Sequence, residues 1–273
     1  MNKLGIRAHD VGKYHAKELA SKIDDLGFDG VQLVIKKALL DDAPFDHLDV
    51  IKNAFVKPYI MMLGAYFNPV HPDEKEVRDG IQYFKKHLEI ASHLGTSYVG
   101  SETGSYQGSP WTLHPKNHTD EAMDRVVEVF RELTDEAKKL NVFVAIEGAY
   151  QHVAYSPKRL KDIIDRIHSP HVKVIVDLFN YLHIGNVDER MTILDEAIDL
   201  FGDQIVIFHL KDFVIQDNRL VQVGLGQGLM DYPKIIKLIK EKTPDAYLIF
   251  EGVTGDDIVS SYQLIQSLLI KEV

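Results

Sequence analysis

Four ionisable residues stand at matching places along this chain. Glu147, Asp177, His209 and Glu251 each close a short apolar run, in VFVAIE, VKVIVD, IVIFH and AYLIFE. Successive members lie 30, 32 and 42 residues apart. The first two intervals each fit one strand–helix repeat, and the third is longer by a small inserted element. Alone, each residue has an ordinary structural explanation, as a helix cap or a hydrogen-bonded core histidine. Four successive run ends of this kind point instead to one shared site. Three carboxylates gathered there repel one another and are costly to bury unpaired. A divalent cation resolves that repulsion. Two glutamates, an aspartate and an imidazole suit one Mn2+, with Co2+, Zn2+ and Mg2+ as alternatives; the oxygen-rich, sulfur-free set favours Mn2+.

The elements that must position these residues read as eight apolar runs alternating with helical segments. The runs cover 4–9, 30–35, 60–67, 97–102, 142–147, 172–177, 205–209 and 246–251. Near-continuous Val, Ile and Leu fit strands buried on both faces of a parallel sheet. Between them, Val77, Ile81, Phe84, Leu88, Ala91 and Leu94 recur at helical spacing, as do Leu160, Ile163, Ile164 and Ile167. The same spacing recurs at Ile235, Ile236 and Ile239, and at Ile258, Tyr262, Ile265 and Leu269. Ser156 before Pro157, and Asp231 before Pro233, are helix-start signals, while Gly27, Gly95 and Gly202 are stop signals. Eight strand–helix units in 273 residues predict an α/β chain folded as one (β/α)8 TIM barrel over residues 1–273. A doubly wound sheet would usually carry a glycine-rich loop after its first strand, whereas RAHDVGKYH has one glycine. Residues 212–224 read as an inserted hairpin turning at Asp217-Asn218. Equivalent strand ends in such a barrel face one mouth.

Bulk composition excludes several classes of function. The chain has no cysteine, hence no disulfide, thiolate zinc site or cysteine nucleophile. Its net charge of −10 and the lack of a basic patch argue against nucleic-acid binding. No apolar run reaches the ~18 residues of a membrane span, and MNKLGIRAHD lacks the features of a secretory leader. A cytoplasmic location is expected.

The motifs AIEG, VDLFN, FHLKD, GLGQGLMDY and FEG resemble the sugar phosphate isomerase/epimerase family of the xylose-isomerase-like TIM-barrel superfamily, along essentially the whole chain. The resemblance implies that Glu147, Asp177, His209 and Glu251 bind one divalent metal, and that Glu147 and Glu251 also form the acid/base pair. One glutamate would remove a proton beside a metal-held carbonyl; the other would return one from the opposite face of the enediolate. Asn180 stands where ketose epimerases usually have histidine. The superfamily's trinuclear-zinc endonucleases need that histidine and others near strands three and four, where this chain reads AYFNP and GSETG.

Further substrate-binding candidates surround this set: Asn180, Lys211, His9, Glu102, Asn68 and Gln227, with Gln32 beside them. GLGQGLMDY, which contains Gln227, is either a flexible turn or a backbone cradle for a phosphate. The long loop after strand four, holding Tyr106 and Trp111, reads as a lid over a sugar or as a contact between copies in a homo-oligomer. His114, His118, His152 and His183 are expected at the surface, with His183 the exception nearest the site. The expected function is a metal-dependent isomerase or epimerase acting on a ketose or ketose phosphate. The alternatives are a keto-inositol-type dehydratase, a metal-dependent apurinic endonuclease and a non-catalytic sugar-binding barrel.

Overall fold

The computed structural model describes residues 2–41, 45–108 and 111–270. Its barrel strands are β1 (Leu4–Arg7), β2 (Gly30–Leu33), β3 (Tyr59–Gly64), β4 (Tyr98–Glu102), β5 (Phe143–Glu147), β6 (Val172–Asp177), β7 (Ile205–Leu210) and β10 (Tyr247–Phe250). A hairpin, β8 (Asp212–Gln216) and β9 (Arg219–Val223), follows β7 directly. The eight strands close into a barrel in the order β1-β10-β7-β6-β5-β4-β3-β2, and every barrel pairing is parallel. This is the (β/α)8 architecture expected from the alternation of apolar runs and helical segments.

Helices wrap the barrel because their apolar stripes need cover and both strand faces must be buried. Glu74–Leu94 starts where Asp73 accepts from the Lys75 N–H and stops at Gly95, whose φ of 77° a side chain would resist. Pro157–Ile167 and Tyr232–Lys242 are capped by Ser156 and Asp231, as their sequences predict. Helices at Ala16–Asp25, Leu48–Ala54, Asp120–Leu140, Arg190–Phe201 and Asp257–Ile270 fill the other intervals. Phe28 packs edge-on against Phe250 at 5.1 Å and against Tyr262 at 5.0 Å, tying the barrel's closing strand to the last helix. Burying one such phenyl ring contributes about 1.5–3 kcal/mol.

A separate apolar cluster, including Met61, Met62, Ala145, Ile175, Ile207 and Ile249, fills the inside of the barrel. Side chains two apart on a strand share a face. Ala145, Ile175, Ile207 and Ile249 are followed two residues later by Glu147, Asp177, His209 and Glu251. The four ionisable residues therefore form the next layer up, at the C-terminal mouth. A Cβ on Gly5 would meet the Met61 sulfur, and one on Gly100 the Met62 sulfur. These glycines leave the two methionines room within the barrel, and the same step of two carries their strands to Arg7 and Glu102.

β1 is shorter than its apolar pattern suggests. It ends at Arg7, and Ala8–Val11 is a helical turn, so His9 lies on that turn and not on the strand. The hairpin turns at Asp217 and Asn218, with φ of 49° and 59°, the two left-handed residues that a tight two-residue hairpin requires.

Candidate metal centre and active site

Glu147, Asp177 and His209 are buried and offer ligand atoms within 4.8 Å of one another. In register, Asp177 lies beside His209 and Glu147 beside Glu102. Glu251 completes the expected set from one residue past β10. One of its oxygens lies 3.1 Å from His209 Nδ1, while Glu147 Oε1 is 3.4 Å and Asp177 Oδ2 3.8 Å from the same atom. The other oxygen of Glu251 is drawn to Lys211 Nζ at 2.8 Å and to Arg7 Nη1 at 2.9 Å.

His209 shows what this cluster fits. Its Nε2–H donates to Gln32 Oε1 at 2.7 Å, and Gln32 in turn donates to the Tyr66 hydroxyl at 2.7 Å. That leaves Nδ1 facing three carboxylates, buried and without a well-formed hydrogen bond. A lone pair aimed at carboxylate oxygens needs a positive charge between them. A proton supplies one and a divalent cation supplies more, so these residues make a candidate divalent-metal site. The outer hydrogen bond to Gln32 fixes the ring's orientation, as it commonly does for metal-bound histidines. Gln32, expected to meet substrate hydroxyls, supports the imidazole instead.

Electrostatics follow from burial and crowding. Burial would lower the His209 pKa, but Glu251 and Glu147 outweigh it and raise it to about 9. Burial raises Asp177 to about 6, with Glu147 and Glu251 adding to the shift and Lys211 opposing it. Burial would likewise raise Glu251, yet Lys211, His209 and Arg7 hold it well below the ordinary carboxylate range. Glu251 is thus held in its ionised form. Burial opposes the charge of Lys211, but Asp177 and Glu251 keep its ammonium firmly protonated.

Asn180 and Lys211 lie against the cluster. The Asn180 amide donates to Glu147 Oε1 at 2.7 Å, and its backbone N–H donates to Asp177 Oδ1 at 3.1 Å. Lys211 Nζ lies 2.7 Å from Asp177 Oδ2 and donates to Asn180 Oδ1 at 3.2 Å. Glu102 lines the mouth with no hydrogen bond or ion pair among the described residues, and burial with Glu147 and Glu251 nearby pushes its pKa well up. His9 also lines the mouth.

Two other candidates are placed differently. The Asn68 amide is spent on backbone partners: it donates to Ser105 O and accepts from the Val70 and Ser105 N–H groups, pinning the loop after β4. Gln227 donates to Asp257 on the outside and lines neither cavity of the mouth. The glycine loop around Gln227 does cradle an anion, but an internal one. The buried Asp212 carboxylate accepts from the N–H groups of Phe213, Gly226, Gly228 and Met230 at 2.8–3.0 Å. Of the two readings of this loop, turn or phosphate cradle, the cradle forms but is filled by the chain itself.

Arg7 is the residue that motif reading passed over. It makes two hydrogen bonds to Asp10, at 2.8 and 2.9 Å, besides its contact with Glu251. Asp10 also accepts from the Gly252 N–H at 2.6 Å, so Arg7 and Asp10 together clamp the Glu251 turn. Gly252 has a φ of 72°, and a Cβ there would strike Gln222 of β9, whose amide donates to the Glu251 carbonyl. Trp111 lines both cavities of the mouth, as a lid residue would. His152 is buried beside it rather than exposed, and His183 stacks on Tyr150 at 4.1 Å.

Residues 20–267 match the family described as Xylose isomerase-like TIM barrel, and the chain belongs to that family. A D-psicose 3-epimerase of Enterocloster bolteae is 26% identical over 258 residues, covering 89% of this chain and 80% of the relative. An inosose isomerase of Bacillus velezensis is 25% identical over 228 residues, covering 79% of this chain and 75% of the relative. The crystal structure of an E. coli 3-keto-D-glucoside 4-epimerase superposes with a TM-score of 0.74 at 16% identity, covering 98% of this chain and 99% of that one; this last match bears on fold alone. The curated relatives support an isomerase or epimerase class for the chain.

Proposed function

We propose that this chain is a divalent-metal-dependent isomerase or epimerase of a ketose or ketose phosphate, with Glu147 and Glu251 as its acid/base pair. The observation that carries the proposal is the placement of those two carboxylates. Glu147 comes from β5 and Glu251 from β10, flanking β6 and β7. Both reach the same imidazole nitrogen, so their nearest oxygens are at most about 6.5 Å apart. A substrate carbon bound beside this cluster would be within reach of both carboxylates.

Glu147, Asp177, His209 and Glu251 would hold the metal, and their oxygen-rich set favours Mn2+. When bound, the metal supplies Lewis acidity at the substrate's carbonyl and neighbouring hydroxyl oxygens. The chain's own groups do the rest. Glu251, kept ionised by Lys211 and Arg7, accepts the proton from the carbon beside the carbonyl. Glu147, fixed by the Asn180 amide, delivers a proton to the other face. Lys211 offsets the negative charge that develops on the substrate oxygens. Glu102 hydrogen-bonds a substrate hydroxyl, and Trp111 covers the sugar and excludes water.

A panel of ketoses and ketose phosphates tests this reading. Turnover should give products of unchanged mass, disappear after treatment with a chelator and return with added Mn2+ or another divalent ion. Full activity in a metal-free preparation contradicts the metal requirement, and a product lighter by one water points to a dehydratase.

A further inference from the structure

Two cavities open from the mouth and share Glu102 and Trp111. The one beside β5 and β6, of about 500 Å³, is walled chiefly by Tyr150, Phe179, Leu182 and His183. The other, of about 490 Å³, lies over β1 to β3. Its floor carries Glu147 and Glu251, and its outer wall carries His9, Lys36 and Lys37.

Neither Lys36 nor Lys37, both exposed, pairs with a carboxylate among the described residues. Lys36 Nζ instead sits over the Tyr83 ring at 4.9 Å and the Phe45 ring at 5.6 Å, an arrangement that orders the ammonium without neutralising it. The third cation of the cavity, Arg7, is committed to Asp10 and Glu251. His9 is kept neutral, at about 4, by burial and by the charges of Arg7 and Lys37, and its buried Nδ1 has no partner. The wall thus holds two uncompensated ammonium groups beside an unsatisfied imidazole nitrogen. The glycine loop, which could have offered a competing anion cradle, has spent its N–H groups on Asp212.

We propose that the cavity over β1 to β3 is a subsite for an anionic terminal group of the substrate, a phosphate or a carboxylate, held by Lys36 and Lys37 with a hydrogen bond at His9. The inference rests on the proposed function for one thing: the reacting carbons sit on the floor at Glu147 and Glu251, so the charged end points outward to the lysines. It also makes substrate charge the property that separates good substrates from poor ones.

The test compares matched pairs in steady-state assays: D-ribulose 5-phosphate with D-ribulose, D-fructose 6-phosphate with D-fructose, and D-fructuronate with D-fructose. The anionic member of at least one pair should have a kcat/KM at least tenfold higher, through KM, and the advantage should shrink as salt screens the lysines. Which pair shows it tells phosphate from carboxylate. The double variant Lys36→Gln/Lys37→Gln should reduce that ratio tenfold or more. An unchanged ratio overturns the subsite. The two single variants give the same reading, in smaller steps, if the double variant is unstable. Inorganic phosphate binding, followed by calorimetry, reports on the subsite without turnover. Phosphate bound by the parent protein and at least tenfold more weakly by the double variant supports the subsite even if no sugar reacts, a result that would remove the isomerase reading alone. Equal phosphate binding by both proteins overturns the subsite.

Discussion

At the scale of the residue, the site is governed by how one imidazole is used. In the metal-free chain His209 titrates near 9, because Glu251 and Glu147 outweigh the burial that opposes its charge. A raised pKa means that protonated His209 stabilises the fold. That contribution is complete below about pH 6.5 and is lost as pH rises towards 9. A metal needs the neutral ring, so binding must expel the proton. Asp177, raised to about 6, adds a second proton only near the lower end of that range. Metal uptake at pH 7.5 should therefore release close to one proton, and affinity should rise up to about tenfold per pH unit until near pH 9. Calorimetry in two buffers of different ionisation heat measures the release directly; proton-neutral uptake contradicts the assignment of Nδ1 as a ligand. The four members of the site were legible in the sequence because each ends an apolar run. Arg7 was not, and Gln32 was legible as a candidate but not as the support of His209, because β1 and β2 carry glycines where β5, β6, β7 and β10 carry Ala or Ile. The step of two from Gly5 to Arg7 and from Gly30 to Gln32 was the available signal.

At the scale of the element, the insertion after β7 is an adjustable part fastened to a rigid one. Asp212 is fully buried and takes four backbone N–H bonds from its own neighbour and the glycine loop. Gly228 sits so close that a Cβ would strike the Asp212 carboxylate and the Phe213 carbonyl. Asp212 thus holds the loop that returns the chain from β9 to the helix Tyr232–Lys242, and β9 in turn touches the backbone of Glu251 through Gln222. Hydrogen bonds to a charged acceptor contribute about 1.5–3 kcal/mol each, and buried donors left unpaired carry a further cost. Asp212→Ala should lower stability by about 3 kcal/mol or more in urea unfolding, and a loss under about 1 kcal/mol contradicts the role. The hairpin itself was legible from Asp217-Asn218, the residues suited to its turn. The use of the glycine loop was not. Glycines in a row announce that backbone N–H groups can converge, but not whether their anion comes from outside or from the same chain. The limit at Asn68 and Gln227 is similar, since a free amide and a structurally spent one look alike in sequence.

At the scale of the whole molecule, closure of the barrel turns distant strand ends into neighbours. Glu147 and Glu251 are separated by 104 positions in the chain, yet they meet at one nitrogen because β5 and β10 flank β6 and β7 in a closed ring. Both cavities, the buried cluster beneath and the proposed acid/base pair depend on that geometry. The fold was legible almost completely, because periodicity of apolar runs reports sheet burial whatever the loops do. The shape and charge of the mouth were not, because they are set by loops and by residues such as Lys36 and Lys37, which look in sequence like a solvated turn. The account's central claim is that two carboxylates serve the two faces of one carbon. The most direct measurement follows deuterium entering the carbon beside the carbonyl, with metal present, in the parent chain and in Glu147→Gln and Glu251→Gln. The account predicts deuterium incorporation with inversion in the parent, and a loss of epimerisation of about a hundredfold to ten-thousandfold in each variant. Either variant turning over within about tenfold of the parent while still binding metal would contradict it.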